Sequence, residues 1–161
     1  MSSMSSQLST SQCKLEFPTS PTWFRTLRQL ITSASMQCGF FERDAGQIAM
    51  AVDEALTNIY RHGYHGSTEG RIRLTYKTEI SPHPEICIEI EDDATQIDTE
   101  RIQSRDLSDI KPGGLGVHLI QTVMDKAVWE KRPEGGMKLS MSKQSTSQMS
   151  SVTQSKATSN G

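Results

Sequence analysis

The spacing of apolar residues predicts two consecutive helices in the first part of the chain. Over residues 22–39, apolar side chains recur every three or four positions, which is the period of an amphipathic helix. Ser20 and Pro21 are typical of a helix start, and Gly39 is typical of a helix end. A second, longer helix follows and ends at Gly63. The predicted buried stripes are Phe24, Leu27, Leu30, Ile31 and Ala34 in the first helix, and Phe41, Ala45, Ile48, Val52, Ala55 or Leu56, and Ile59 in the second.

A strict alternation of apolar and polar residues predicts strands further along the chain. The stretch RIRLTYKTEI places Ile72, Leu74 and Tyr76 on one side, and ICIEIED does the same with three isoleucines. This period of two is typical of a strand with one buried face. CKLEF, at residues 13–17, predicts a short first strand. AVWEKR and MKLSMS predict a hairpin that turns at residues 133–136.

A third helix is predicted over GGLGVHLIQTVMDK, with Val117, Ile120, Val123 and Met124 as its buried stripe. Residues 93–113, which precede it, show no period, and a loop of this length in a small domain is usually functional or mobile. Because the strands occur mainly as antiparallel pairs, the order of elements predicts an α+β fold. We expect a two-layer sandwich with a mixed, mostly antiparallel sheet and helices on one face.

The two ends of the chain differ in composition from its middle. Residues 1–12 and 142–161 consist mainly of Ser, Thr and Gln. Such segments bury too little apolar surface to offset the entropy cost of ordering. We therefore predict one domain at residues 13–141 with a disordered tail at each end. For these tails, a role as simple spacers is favoured over a role in docking.

Charge and composition exclude several classes of function. Seventeen Lys and Arg residues and nineteen Asp and Glu residues give a net charge of −2, without a long basic run, which disfavours nucleic-acid binding. No apolar run approaches the roughly 20 residues of a membrane helix, and the N-terminus lacks the pattern of a signal peptide. Cys13, Cys38 and Cys87 are widely separated, which favours a reducing compartment over a disulfide framework. A cytoplasmic protein is expected.

Glu54 and Asn58 are the first candidates for chemistry. Four residues apart on the second helix, they lie on one face, beside the buried stripe. A carboxylate there can accept a proton, and an amide oxygen is a suitable ligand for Mg²⁺. By itself, however, the E-x-x-x-N pattern is common and is equally compatible with a solvated helix face.

Two further segments strengthen this interpretation. Asp92 and Asp93 stand where a strand emerges into a loop, and a carboxylate there can accept a hydrogen bond from the amine of adenine. In KPGGLGVHLI, glycines precede a helix, whose free N–H groups favour phosphate. Alone, the first segment is also an ordinary polar strand end, and the second an ordinary glycine-rich turn.

In order and spacing, the three segments resemble the motifs of the GHKL ATP-binding superfamily, which includes histidine-kinase catalytic domains. DEALTNIYRHGY resembles its N-box, EDDATQID occupies the place of its D-x-G-x-G box, and GGLGVHLIQTVMD resembles its second glycine box. The chain is most similar to the small anti-sigma-factor serine/threonine kinases, which share the HGY after the N-box. The resemblance covers roughly residues 13–142 and implies the Bergerat-type sandwich of that superfamily.

The resemblance implies a role for individual residues. Glu54 matches the general base, Asn58 the Mg²⁺ ligand and Asp92 the carboxylate that binds adenine. Arg28, on the first helix, aligns with a partner-contacting arginine and is equally compatible with an ordinary exposed arginine. His62 and His118 are interpreted mainly as packing residues. The remaining positions of the two glycine boxes, expected to contact ATP, are Ala94, Gly114, Leu115, Gly116 and Val117.

The chain departs from the family pattern at two places. Ala94 stands where the first glycine box has glycine, followed by Thr95 and Gln96. Alanine is tolerated there if its φ angle is negative, so weaker nucleotide affinity is expected rather than its loss. Near the end, Met137 follows Gly136 where the family often has threonine, so a hydroxyl beside the nucleotide is absent.

The resemblance implies an ATP- and Mg²⁺-dependent serine/threonine protein kinase. Its expected partner is an anti-anti-sigma protein of the STAS type, with a sigma factor as an alternative captive, and a homodimer is compatible with this interpretation. A nucleotide-binding switch that sequesters its partner without phosphorylating it is the alternative, which the altered first glycine box favours. A detached histidine-kinase domain is a third hypothesis.

Overall fold

A computed structural model of the chain describes residues 10–80, 82–94 and 115–146. Within these ranges, five strands and three helices form an α+β fold, as the sequence predicts. A short π-helical turn continues the second helix. The elements are β1 (Thr10–Pro18), α1 (Pro21–Cys38), α2 (Glu42–Asn58), the π-helical turn (Ile59–Gly63), β2 (Arg71–Glu79), β3 (Glu85–Asp92), α3 (Leu115–Val123), β4 (Lys126–Lys131) and β5 (Met137–Gln144).

The strands form one sheet in the order β1-β2-β3-β5-β4. All four pairings among the described strands are antiparallel, so the expected parallel component of a mixed sheet is not found in this part of the chain. Alternate residues of β2, β3 and β5 are buried and join the helices in one core. The helices therefore cover one face, which confirms the predicted two-layer arrangement.

The other face of the sheet carries polar and charged side chains. Lys138 Nζ lies 3.3 Å from Glu89 Oε1 on the neighbouring strand. Arg71 Nη1 lies 3.2 Å from Glu16 Oε1 on β1. Opposite charges that face each other across strands stabilise a sheet modestly and keep its surface hydrated. This face is therefore built for solvent rather than for a second layer of helices.

Two predicted core residues lie on the surface instead. Phe41 is 64% exposed, because it precedes the first turn of α2, whereas its neighbour Phe40 is buried in the connection. Leu30 is also exposed, because Ile31 takes the inward position on α1. Gly39 ends α1 in the left-handed conformation, as predicted. Ser20 occupies the N-cap position, but its side chain makes no capping hydrogen bond.

The strands extend beyond the predicted domain boundaries. β1 begins at Thr10 rather than residue 13, and Ser11 Oγ lies 2.6 Å from Thr78 Oγ1 on β2. β5 continues to Gln144, so residues 142–144 belong to the sheet and not to a tail. The strands therefore reach three residues beyond the predicted domain at each end, because strand pairing outweighs polar composition. The rest of both predicted tails, and nearly all of the predicted loop at 93–113, lie outside the described residues. No helix within the described ranges is long and apolar enough to cross a membrane.

Candidate functional site

Glu54, on α2, lies directly against the first turn of α3. A Cβ atom added to Gly116 would overlap the Oε1 atom of Glu54, and Gly116 itself is buried. Any side chain at position 116 would therefore displace the carboxylate. The fold thus brings together two segments that are separated by about 60 residues in the sequence.

Asn58 ends α2, one helical turn after Glu54, and is half-buried. Within the described part of the chain, no hydrogen bond or ion pair engages the side chain of either residue. An open cavity of about 430 Å³ lies beside Glu54. It is lined by Glu54, Leu115, Gly116, His118, Leu119 and Thr122. The Glu54 carboxylate, which borders this cavity, and the Asn58 carboxamide, one helical turn further along α2, have no partners among the described residues and are available to a ligand.

A π-helical turn follows Asn58 and leads from α2 towards β2. Its wider hydrogen bond runs from the Tyr64 N–H to the Ile59 oxygen over 3.0 Å. Single π-helical turns in α-helices are frequent at functional sites. The Tyr64 hydroxyl accepts a hydrogen bond from the Asp93 N–H at 3.0 Å. The HGY that follows the N-box therefore contacts the segment that follows β3.

Asp92, the last residue of β3, is buried, with 1% of its surface exposed. Its Oδ1 accepts a hydrogen bond from the Ala94 N–H at 2.8 Å. Burial raises the pKa of the Asp92 carboxyl, and hydrogen bonds from the Ala94 and Met137 backbone amides oppose this shift. Gly136, with φ of +80°, lies so close to the Asp92 carbonyl that a Cβ there would overlap it. Asp92 is thus a buried acceptor in a fixed position.

The neighbouring Asp93 has a different environment. Arg73 donates two hydrogen bonds to its carboxylate, at 2.6 and 3.0 Å, and Arg132 donates a third at 2.7 Å. These guanidinium groups hold the pKa of Asp93 well below its usual range. Arg132 Nη1 also donates to the Asp92 main-chain oxygen at 2.7 Å. Of the two aspartates, Asp93 is therefore engaged in ion pairs and Asp92 faces the protein interior.

The residues at this site fit a magnesium ion that binds together with phosphate. No group of three or more His, Cys, Asp or Glu side chains within the described ranges could hold a metal alone. Mg²⁺ usually takes few protein ligands and completes its coordination with phosphate oxygens and water. The carboxamide oxygen of Asn58, which has no partner among the described residues, meets that requirement.

The other predicted site residues have different surroundings. Ala94 is buried, Leu115 is exposed and Val117 is half-buried, while Gly114 lies outside the described residues. In the part of the chain that the structure describes, His65 is the only residue besides glycine with a positive φ angle, so φ of Ala94 is negative. The condition under which alanine is tolerated at this position is therefore met.

The three remaining residues considered in the sequence, Arg28, His62 and His118, all lie on the surface. Arg28 is half-exposed on α1, and its Nη1 atom lies 3.9 Å from Asp53 Oδ2. It lines an open groove of about 650 Å³ together with Arg25. His62 and His118 are both exposed, so their interpretation as packing residues was wrong. His118 instead borders the cavity beside Glu54.

Sequence reasoning missed the residues that fix Asp92 in place. Arg132, in the turn after β4, contacts both Asp92 and Asp93. Arg73 on β2 and Tyr64 after the π-helical turn contact the neighbouring Asp93 and thereby hold the strand end. Only Tyr64 carried a signal in the sequence, as part of the HGY motif. The contacts of Arg73 and Arg132 depend on strand pairing, which places Arg73 opposite Glu91.

Comparison with known proteins identifies similar chains. Residues 17–143 match the family described as "Histidine kinase-like ATPase domain". A serine-protein kinase RsbW from Halalkalibacterium halodurans is 28% identical over 137 residues, which cover 81% of each chain. A serine-protein kinase RsbW from Listeria monocytogenes is 26% identical over 119 residues, or 69% of this chain and 74% of the relative. Among solved structures, a histidine kinase domain from a blue-light activated histidine kinase of Erythrobacter litoralis EL346 has a TM-score of 0.46 and 15% identity, and the match covers 75% of this chain and 58% of that chain.

Proposed function

The chain belongs to the family of histidine kinase-like ATPase domains, and from this premise we propose that it is an ATP-dependent protein kinase that phosphorylates serine or threonine. Relatives named serine-protein kinase support the choice of hydroxyl acceptor over histidine. The observation that carries the proposal is the contact between Glu54 and Gly116. It places a carboxylate without a protein partner among the described residues at the first turn of a glycine-opened helix.

Each residue of the site has a proposed role in phosphoryl transfer. The hydroxyl oxygen of the partner protein forms a bond to the γ-phosphorus of ATP, the bond from that phosphorus to the β–γ bridging oxygen breaks, and ADP leaves. Glu54 accepts the proton of the hydroxyl. Asn58 holds Mg²⁺, which neutralises phosphate charge. The N-terminal turn of α3 faces the phosphates, because free N–H groups at a helix start favour anions.

Asp92 is proposed to bind the adenine ring. Its carboxylate is held at the end of β3 by the Ala94 N–H, and a carboxylate oxygen accepts more than one hydrogen bond. The 6-amino group of adenine is a suitable additional donor. Guanine presents a carbonyl oxygen at the same position, which a carboxylate would repel. Preference for adenine over guanine nucleotides therefore follows from this geometry.

The proposed partner is a STAS-type anti-anti-sigma protein, with a sigma factor as the alternative captive. Arg28 is the proposed contact. Its ion-pair partner, Asp53, directly precedes Glu54, so a protein bound at Arg28 would lie near the proposed base. Arg25 lines the same groove on α1 and adds a second positive charge. Partner binding would regulate transcription by exchange between the two partners.

A switch without catalytic activity is the less well supported function. Ala94 would favour it only if the backbone of the first glycine box needed a positive φ, because alanine would then weaken nucleotide binding. The φ angle of Ala94 is negative, and the residue donates its N–H to Asp92 without strain. The remaining distinction between the two functions is whether phosphate is transferred.

The test is transfer of label from γ-labelled ATP to purified STAS-domain proteins of the same genome. We expect acid-stable label on serine or threonine. Glu54→Gln should bind ATP within about twofold of wild type but slow transfer by roughly 10²–10⁴-fold, because a general base acts mainly in the transition state. Asn58→Ala should remove the Mg²⁺ dependence of ATP affinity, and Asn58→Asp, which keeps an oxygen ligand, is its matched control.

Three outcomes contradict the proposal in different ways. Transfer at the wild-type rate by folded Glu54→Gln would exclude this residue as the base. Binding of ATP without transfer to any STAS protein would favour the switch. Acid-labile label would indicate a histidine acceptor, as expected for a detached histidine-kinase domain.

A further inference from the structure

The turn after β3 fixes Ala94 and the Asp92 carboxylate to each other. The Ala94 N–H donates to Asp92 Oδ1 at 2.8 Å, and only 4% of the Ala94 surface is exposed. The hydrogen bond joins residues two positions apart, so the carboxylate and the Ala94 backbone form one small closed turn. A displacement of Ala94 therefore displaces the acceptor oxygen of Asp92 as well.

The Ala94 methyl group faces Gly63 on the π-helical turn. A Cβ atom added to Gly63 would lie 3.1 Å from the Ala94 Cβ, and the next nearest atom, Ile59 Cγ2, would be 3.9 Å away. Carbon atoms in contact prefer separations of about 3.5–4.0 Å. A side chain at position 63 would therefore force the Ala94 methyl group to shift by a few tenths of an ångström. Apart from its chain neighbours and the backbone of its own helix, no other group of the described residues approaches position 63 as closely.

We propose that Gly63 is a positioning residue of the nucleotide site: it accommodates the methyl group that Ala94 brings into the first glycine box, so that the Asp92 carboxylate keeps its place. The two residues then act as a pair in which one member must be glycine. This inference rests on the proposed function, because it assumes that Asp92 binds adenine. It goes beyond that function because it assigns a positioning role in nucleotide binding to Gly63, a residue that is expected not to contact the nucleotide itself.

The pair predicts a specific pattern among four proteins: wild type, Gly63→Ala, Ala94→Gly and the double variant. Gly63→Ala should weaken the affinity for both ATP and ADP, roughly two- to tenfold, which is the lower range for coupled contacts. In the double variant, Ala94→Gly removes the opposing methyl group, so its affinity should return to within about twofold of that of Ala94→Gly alone. Isothermal titration calorimetry gives the affinities, and circular dichroism gives the melting temperatures.

Gly46→Ala is the matched control. Gly46 lies on the same helix, and a Cβ there would meet no atom within 4 Å. This substitution should raise the melting temperature, because alanine favours helix, and leave nucleotide affinity unchanged. Should Gly63→Ala not fold, the double variant carries the test, since it must fold and bind like Ala94→Gly.

Two results would overturn the inference. One is a Gly63→Ala protein with a lower melting temperature but wild-type affinity, since Gly63 would then serve stability alone. The other is a double variant as weak as Gly63→Ala, since the two positions would then be independent. If wild type binds neither ATP nor ADP, the proposed function fails and this inference with it. If wild type binds both and the pair is not coupled, only the inference fails.

Discussion

Gly116 contacts Glu54 so closely that a single methyl group on its Cα atom would occupy the position of the Glu54 carboxylate oxygen. The contact joins the first turn of α3 to the last turn of α2. A glutamate side chain is flexible, so it would yield to an added methyl group by rotating rather than by unfolding the helix. Position 116 therefore controls where the proposed base lies, and it does so at little cost in stability.

Gly116→Ala should slow phosphoryl transfer by about 10²-fold while the protein remains folded. A misplacement of about 1 Å is sufficient for a loss of this size. Single-turnover transfer of labelled phosphate is the measurement. In the background of Glu54→Gln the same substitution should cause almost no further loss, because both changes act on one group. A wild-type transfer rate for Gly116→Ala would show that the position of Glu54 does not limit catalysis.

Asp92→Asn should weaken ATP and ADP equally, by about 1–3 kcal/mol, since a hydrogen bond to a charged acceptor is lost. Its effect on stability should have the opposite sign. The pKa of Asp92 is raised by burial in the folded protein, so its contribution to stability is greatest at low pH and declines as the pH rises through the folded-state value. At neutral pH the variant should melt at the same or a higher temperature than wild type.

Titration calorimetry and thermal melts at several pH values test both parts. The stability difference between Asp92→Asn and wild type should shrink as the solution is acidified. A variant that loses several degrees of melting temperature at neutral pH would show that the carboxylate supports the fold, and the loss of affinity could then not be assigned to adenine.

Asp93→Asn is predicted to behave in the reverse way. The arginines lower the pKa of Asp93, so its contribution to stability is present above the ordinary aspartate pKa of about 3.9 and is lost as the pH falls through the folded-state value. Because the carboxylate is half-exposed, we expect a cost on the order of 1 kcal/mol at neutral pH. Urea unfolding should show the full difference at neutral pH, a decrease once the pH falls below about 3.9, and its loss only as the pH falls through the lower folded-state value.

Nucleotide affinity separates the two aspartates. The side chain of Asp93 pairs with Arg73 and Arg132, so Asp93→Asn should reduce affinity less than Asp92→Asn. A larger effect at Asp93 would mean that the adenine-binding carboxylate is assigned one residue too early.

Removal of residues 142–161 should destabilise the protein strongly. The deletion takes away the end of β5, including a hydrogen bond of 2.6 Å from Lys143 Nζ to the Val123 oxygen. It also removes the Gln144 N–H that donates to Asp125 at 2.8 Å. At roughly 0.5–1.5 kcal/mol for each hydrogen bond, several such losses amount to a few kcal/mol. Differential scanning calorimetry measures the change.

A shorter deletion, of residues 147–161, is the control, because it leaves every described contact in place. Its melting temperature should equal that of the full chain. Equal melting temperatures for both deletions would show that the last residues of β5 add nothing to the sheet.

Features with a local cause were predictable from the sequence. Ile88 and Ile90 alternate with charged residues or cysteine on a strand that has one buried face, so their period fixes their direction. Glu54 and Asn58 are four residues apart on a helix, so their proximity follows from helix geometry alone. The family motifs then indicated which distant segments would meet, and Glu54 does lie against Gly116.

Features with a long-range or terminal cause were not predictable. At the start of α2 the helical period does not predict which of Phe40 and Phe41 points inward. Both residues lie in the connection between α1 and α2, where the periodicity of the helix does not apply. The pairing of Arg132 with Asp93 joins residues 39 positions apart through the β4–β5 hairpin. The role of Gly114 remains a prediction, since this residue lies outside the described residues.

The π-helical turn has a consequence for the rotation of the chain. In an uninterrupted α-helix, at about 100° per residue, Gly63 would point about half a turn away from Glu54. The wider turn from Ile59 to Gly63 rotates less per residue, so Glu54 reaches Gly116 while Gly63 reaches Ala94. Deleting one residue from this turn would rotate Gly63 relative to Glu54, so that either the contact with Ala94 or the contact with Gly116 would be lost. The site therefore depends on the length of this turn as well as on which residues form it.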